Sequence, residues 1–452
     1  MAASSIILAN AKDPSSQIRG ILHDRVVGTL VGSALGDAIG LYTEFMSKTQ
    51  AREFYPSEEF SLVEPKTPYK QDTHRGPHNP GNWTDDTDHA LCMLLSYLHS
   101  SGKDNSPTPG DLAARIRLWA NQGLRALDTM PLGLGKTVGT IVIQQGFLEE
   151  PEEIATKHWR KNGRDAAANG SLMRTHPVGL FGLLKTREET LELAGRLSCI
   201  THVDPRCVAS CALGSALVRG LVLGEVTTEE QAKQVMEETI VWYDCKWKPT
   251  MEKKKGNEEG EWDLDVEAFR KHAWTETLDE LVLDDIAMGY VLKCLGTGVL
   301  QLRKAMRMMK KGQGGLKTQL SVFKELIAEL IMCGGDADTN ACFAGALLGA
   351  YLGYKALPPH WRDGLNHGDW FMNKAESLSI LLGVRDGEYD GGQDKDTAHD
   401  GGRGLLEQDE MEKRWALLVG KVFAAHGVAP TPKKPSRASW LPWSSEKWKG
   451  RY

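Results

Sequence analysis

The sequence predicts an all-α protein built as one large domain with a charged insertion and a tail. Apolar residues recur at helical spacing, with short breaks, from Asp24 to Gly383. Alternating strand-like runs are almost absent, and two Ala/Leu-rich helical runs are each opened by a glycine-flanked acidic cluster.

The first cluster, Gly81-Asn82-Trp83-Thr84-Asp85-Asp86-Thr87-Asp88, precedes a helical run from Ala90 to Leu98. The second, Gly334-Gly335-Asp336-Ala337-Asp338-Thr339-Asn340, precedes an apolar run from Ala341 to Gly353. So many carboxylates in a few residues call for something positive. Asp and Thr at a helix start can act as caps, accepting free N–H groups at the positive end of the dipole. Hard divalent cations such as Mg2+ or Mn2+ take the same oxygens, and a bridged pair of ions needs carboxylates converging from different segments. Either cluster alone fits a cap; two clusters of one design favour a shared metal site.

Glycines punctuate the same regions at intervals of four: Gly28, Gly32, Gly36 and Gly40 in one segment, Gly345, Gly349 and Gly353 in the other. A helical glycine costs about 1 kcal/mol against alanine, so this spacing needs a packing reason. The expectation is that the two stripes face each other with backbones in close approach. Such packing would carry Asp37 and Glu44 toward Asp336 and Asp338.

Between these segments, Tyr55 to Pro80 reads as a surface loop and Asp111 to Ala126 as an amphipathic helix that buries Leu112, Ile116, Leu118 and Trp119. Gly133-Leu134-Gly135-Lys136-Thr137 resembles the end of a phosphate-binding loop, yet the first glycine required would fall on Met130 and no strand precedes it. A glycine turn before a helix from Thr137 to Gln145 is preferred. Asn169-Gly170-Ser171 is either an ordinary turn or a place where free backbone N–H groups meet a phosphate. Thr201-His202 is a short polar break between helices, and its histidine is open to a structural or a functional role. Lys246 to Asp265 reads as a mobile, charged surface insertion. Asp386 to Gly402 is Asp/Gly-rich, and Pro430 to Tyr452 is a tail without helical periodicity.

Composition excludes several classes. The 452 residues are 41% hydrophobic and 25% charged with a net charge of -6, which argues against nucleic acid as a partner. Eight cysteines without a CxxC pair indicate neither zinc nor disulfides and fit a reducing compartment. Ile6-Ile7-Leu8 is too short for a signal peptide core, and the longest apolar run falls short of the roughly 20 residues of a membrane span. A cytoplasmic monomer without a membrane partner is expected, and Lys433-Lys434-Pro435-Ser436-Arg437 is either solvated tail or a nuclear address.

Five ordered blocks then coincide: Gly36-Asp37-Ala38-Ile39-Gly40 with Glu44; Trp83-Thr84-Asp85-Asp86-Thr87; Asn169-Gly170-Ser171-Leu172-Met173-Arg174; Thr201-His202; and Gly334 to Asn340. In this combination the chain resembles the ADP-ribosylglycohydrolases, particularly the branch of dinitrogenase reductase-activating glycohydrolase and ADP-ribosylarginine hydrolase. The resemblance implies a compact orthogonal multi-helix bundle with a binuclear metal site in a central cleft. It places the domain at residues 21–384, between an N-terminal extension (1–20) and a C-terminal extension and tail (385–452). It carries over Thr84, Asp85, Asp86, Asp336, Asp338 and Thr339 as ligands of two divalent cations, Mg2+ or Mn2+, with Asp338 touching both. Glu44, Asp85 and Asp338 would be catalytic. Gly170 and Ser171 would hold a diphosphate, and His202 would line the distal pocket. Ala337, where related sequences often have Thr, is not a ligand position.

The activity so implied is removal of ADP-ribose from modified proteins by cleavage of the C1″ glycosidic bond, first of all to arginine. Serine-linked or O-linked (poly)ADP-ribose uses the same metal frame and stays open. A silent member that binds ADP-ribose or serves structurally is the alternative of another class, and the full ligand set argues against it.

Overall fold

The computed structural model describes residues 16–102, 107–256, 260–312 and 316–425. Its first helices are α1 (Ser16–Gly40), α2 (Lys48–Phe54), α3 (Asp85–His99), α4 (Pro109–Gln122), α5 (Lys136–Val142), α6 (Pro151–Lys161), α7 (His176–Phe181), α8 (Arg187–Ser198) and α9 (Pro205–Leu223). There follow α10 (Glu229–Trp242), α11 (Lys248–Lys255), α12 (Val266–Ala273), α13 (Val291–Lys311), α14 (Leu316–Ile331), α15 (Ala337–Leu352), α16 (Pro359–Arg362), α17 (Gly368–Leu381) and α18 (Gln408–Ala425). Among the described residues the only β pairing is an isolated bridge between Ala168 and Tyr290.

The two glycine stripes face each other, as the spacing predicts. A Cβ on Gly28 would sit 2.6 Å from the Gly349 carbonyl oxygen, one on Gly32 the same distance from that of Gly345, and one on Gly40 would strike the backbone of Asp338. α1 and α15 therefore run backbone against backbone and form the axis of the fold. Packed also against α9, α13 and α14, α15 is apolar on nearly every side, the signature of a core helix. α9 is long and apolar enough to span a membrane by composition alone, yet 94% of its apolar window is buried inside the protein.

Local signals set the helix ends. Thr108 accepts from Asp111 N, Pro109 fills the first turn of α4, and Gly123, with φ of +73°, stops it. Leu112, Ile116, Leu118 and Trp119 are buried as expected. Gly135 opens α5 as a turn residue.

The charged segment after α10 departs from its reading as a mobile insertion. A π-helical turn, Tyr243–Trp247, leads into α11, the Trp262 ring is fully buried, and buried Glu261 binds Arg160 at 2.6 Å. Average composition hid these two anchors.

The chain after residue 384, expected as an extension, packs back onto the domain. Arg115 Nη2 donates to the Thr397 carbonyl at 2.8 Å, and Lys374 binds Asp394 at 2.7 Å. The tail from Pro430 and the run Lys433 to Arg437 lie outside the described residues.

Candidate active site

Three chain segments meet at the paired ends of α1, α3 and α15. The turn after α1 and the loop before α15 exchange two backbone bonds, Phe45 N to Gly335 O at 2.7 Å and Gly335 N to Met46 O at 2.8 Å. Gly334 and Gly335 both hold left-handed backbone, φ +69° and +67°, and a Cβ on either would hit neighbouring backbone. Only glycine fits. This tie sets Glu44 beside Asp336 and Asp338.

The carboxylates converge in two overlapping groups. Ligand oxygens of Asp37, Asp86 and Asp338 lie within 4.8 Å of one another, as do those of Glu44, Asp336 and Asp338. Asp338 belongs to both. Thr84 Oγ1 bonds Asp86 Oδ2 at 2.9 Å and Asp338 Oδ2 at 3.2 Å, and the Thr339 hydroxyl acts on the carboxyls of Asp86 and Asp336, lowering the pKa of each.

Capping does not explain the arrangement. Neither Thr84 nor Asp336 makes a side-chain cap. The start of α3 is instead served from α1: Asp37 accepts from Thr84 N at 2.9 Å, Thr87 N at 3.0 Å and Thr87 Oγ1 at 2.6 Å. Asp86 Oδ1 is buried with no partner among the described residues. Burial first, then mutual repulsion, pushes the carboxyls of Asp85, Asp86 and Asp338 far above their usual range. Burial and Glu44 raise Asp336, and burial lifts Asp37 to about 7. An all-oxygen donor set, crowded and with a spare buried oxygen, fits hard divalent cations.

Asp85 behaves differently from Asp86. Neighbours on a helix point about 100° apart, and Asp85 Oδ1 faces Gly133 of the α4–α5 loop instead of joining either oxygen group. Asp88 anchors the first turn of α3, accepting indole N–H bonds from Trp83 and Trp119, both at 2.8 Å.

The loop read as a surface segment reaches into the site. His74 Nε2 lies 2.6 Å from Glu44 Oε2. Buried Arg75 donates to the carbonyls of Leu41 at 2.9 Å and Tyr42 at 3.0 Å, and also to that of Glu44. Phe45, at φ +58°, packs its ring at a tilt of 53° against His74, with centroids 4.7 Å apart. Proline content pointed this loop outward, and nothing local marks His74 or Arg75.

Asn169–Ser171 forms a 3-10 turn linked to the acidic cluster by Asn169 Nδ2, which donates to Asp336 Oδ2 at 2.8 Å. Gly170 lies against His202, where a Cβ would stand 3.1 Å from the ring. The Ser171 hydroxyl turns inward, 3.0 Å from Ser198 Oγ and 3.3 Å from Cys211 Sγ, so only its backbone is left for a ligand. Sequence reasoning missed the Asn169 link, although Asn169 heads the block it singled out.

A family model described as ADP-ribosylglycohydrolase matches residues 19–389. The ADP-ribosylarginine hydrolase Tri1 of Serratia proteamaculans is 23% identical over 366 residues, which span 80% of this chain and 81% of that protein. The ADP-ribosyl-[dinitrogen reductase] glycohydrolase of Rhodospirillum rubrum is 23% identical over 76% of this chain and 91% of its own. The ADP-ribosylhydrolase ARH3 of Danio rerio is 25% identical over 80% and 92%. With a match over most of its length, the chain belongs to the ADP-ribosylglycohydrolase family.

Proposed function

We propose that the protein is a metal-dependent hydrolase that releases ADP-ribose from modified proteins by cleaving the C1″ bond, with arginine as the acceptor side chain. The observation that supports this reading above all is the pair of oxygen groups sharing Asp338. Thr84, Asp86 and Asp338 would hold one cation, and Asp336, Asp338 and Thr339 a second. When bound, the ions supply Lewis acidity that orients a sugar diol and acidifies a hydroxyl or water.

The chain's own groups account for the rest. Glu44, next to this cluster, takes the proton of the attacking water, while His74 holds its Oε2 in place. Breaking the C1″ bond builds oxocarbenium character, and the surrounding carboxylates, Asp85 among them, favour that positive charge. The Asn169–Ser171 turn, tethered to Asp336, holds the diphosphate through its backbone N–H groups.

Arginine is favoured by the names of two relatives, the ADP-ribosylarginine hydrolases of Serratia proteamaculans and Pseudomonas putida. The test is to incubate the protein with arginine-modified and serine-modified ADP-ribosyl peptides, with and without Mg2+ or Mn2+, and to measure released ADP-ribose. Release from the arginine peptide that stops with chelator supports the proposal. Release from the serine peptide alone would overturn the acceptor, and release unaffected by chelator would overturn the metal.

A further inference from the structure

Beneath the Asn169–Ser171 turn runs a buried polar chain that no step above uses. Arg174 is fully buried at 0% exposure, and its Nε and Nη1 have no partner among the described residues. No carboxylate is among the groups that shift its pKa. Among the described residues its hydrogen bond runs from Nη2 to Thr201 Oγ1 at 2.8 Å.

That bond leads on to a second. A guanidinium can only donate, so Thr201 Oγ1 accepts there, and its own proton is available to His202 Nδ1, 2.8 Å away. An Nδ1 that accepts leaves the ring proton of a neutral imidazole on Nε2. Burial pushes the His202 pKa down to about 3, so the ring is neutral at physiological pH. His202 Nε2 is buried and has no partner among the described residues, and a Cβ on Gly170 would lie 3.3 Å from it. A side chain at that position would crowd the nitrogen, and glycine does not.

We propose that Arg174 and Thr201 are positioning residues that lock His202 in its Nε2–H tautomer, so that the turn at Gly170 presents a donor to an anionic diphosphate. The opposite tautomer would set a lone pair against phosphate oxygens. The uncompensated guanidinium behind the ring adds a positive potential of the same sense. The diphosphate as ligand rests on the function proposed above; the tautomer does not.

The experiment uses the full chain with 15N-labelled histidine, the His202 signals being assigned by their loss in His202→Gln. The wild type should show Nε2–H with an unprotonated Nδ1. Thr201→Val, which removes the hydroxyl and keeps the shape, should shift the population toward Nδ1–H. It should also weaken ADP-ribose binding and raise KM about tenfold, with kcat kept within about twofold, as expected for one lost charge-assisted hydrogen bond. Thr201→Ser should restore tautomer and affinity together. An Nδ1–H signal in the wild type would overturn the proposal whatever the variants do, and so would Thr201→Val binding ADP-ribose as tightly as the wild type. Failure of the wild type to bind or release ADP-ribose would remove the ligand and the enzymatic reading, while an Nε2–H signal lost in Thr201→Val would still support the positioning chain.

Discussion

Thr84 Oγ1 meets Asp338 Oδ2 at 3.2 Å across 254 residues of chain. The bond joins the starts of α3 and α15, so the positive ends of two helix dipoles aim at one acidic cluster. Helix polarity thus offsets part of the cost of gathering these carboxylates, and the rest is left for a cation.

Replacing Asp338 with Asn removes the charge common to both oxygen groups. In chelator the variant should melt several degrees above the wild type, a gain of about 1–3 kcal/mol from relieved buried repulsion. Mg2+ or Mn2+ should no longer raise its melting temperature, and turnover should be lost. A variant that melts lower in chelator would count against a crowded apo cluster.

Stabilisation by metal should grow with pH. Folding raises the pKa of Asp37 to about 7 and raises Asp86 and Asp338 well above 3.8. Their contribution is present below the unfolded value near 3.8 and is lost as pH climbs through the folded values. Ions compete with those protons, so the gap between melts with metal and with chelator should widen from pH 6 to pH 8.

Glu44→Gln should bind ADP-ribose as the wild type does and cleave it at least about a hundredfold more slowly, the usual contribution of a positioned base. Calorimetry and single-turnover release separate the two effects. An unchanged cleavage rate would take Glu44 out of the mechanism.

The stripe on α1 makes a sharp contrast within one helix. A Cβ at Gly36 would collide with the Ala341 carbonyl, whereas Gly20 has nothing within 4 Å. Gly36→Ala should destabilise by about 3 kcal/mol or more, because backbone cannot move aside. Gly20→Ala should stabilise by about 0.5–1 kcal/mol through helix propensity. Denaturant melts of both variants check the pair.

Acid should weaken the metal-loaded protein through its buried histidines. Burial lowers the His176 pKa to about 3 and pushes His89 well below its usual value. Between pH 3 and 6.5 the unfolded chain binds the extra proton, so stability is full above 6.5 and falls as pH drops through that window. At pH 5 His176 alone should cost about 2 kcal/mol. His176→Gln should flatten the profile by that amount.

The axis of the fold and the acidic groups were legible because their signals are local. Glycine spacing foretold the α1–α15 contact, and the clusters at Asp86 and Asp338 named their own segments. What escaped is held through space. Adjacent Asp85 and Asp86 are equivalent in a linear reading, and only the helix phase turns Asp86 inward and Asp85 toward Gly133. His74 and Arg75 sit in a stretch whose prolines suggested solvent, yet Arg75 is drawn in by three carbonyl oxygens that sequence does not display. Asn169 finds Asp336 across 167 residues, and no spacing rule marks that pair.

Asp37 binds the opening of α3 from within α1, and α1 has no slack against α15. A cage so braced leaves its oxygens little room to separate. On the proposed metal reading, Mg2+, with bonds to oxygen of about 2.0–2.1 Å, should therefore be held in preference to Ca2+, whose bonds run at about 2.3–2.6 Å.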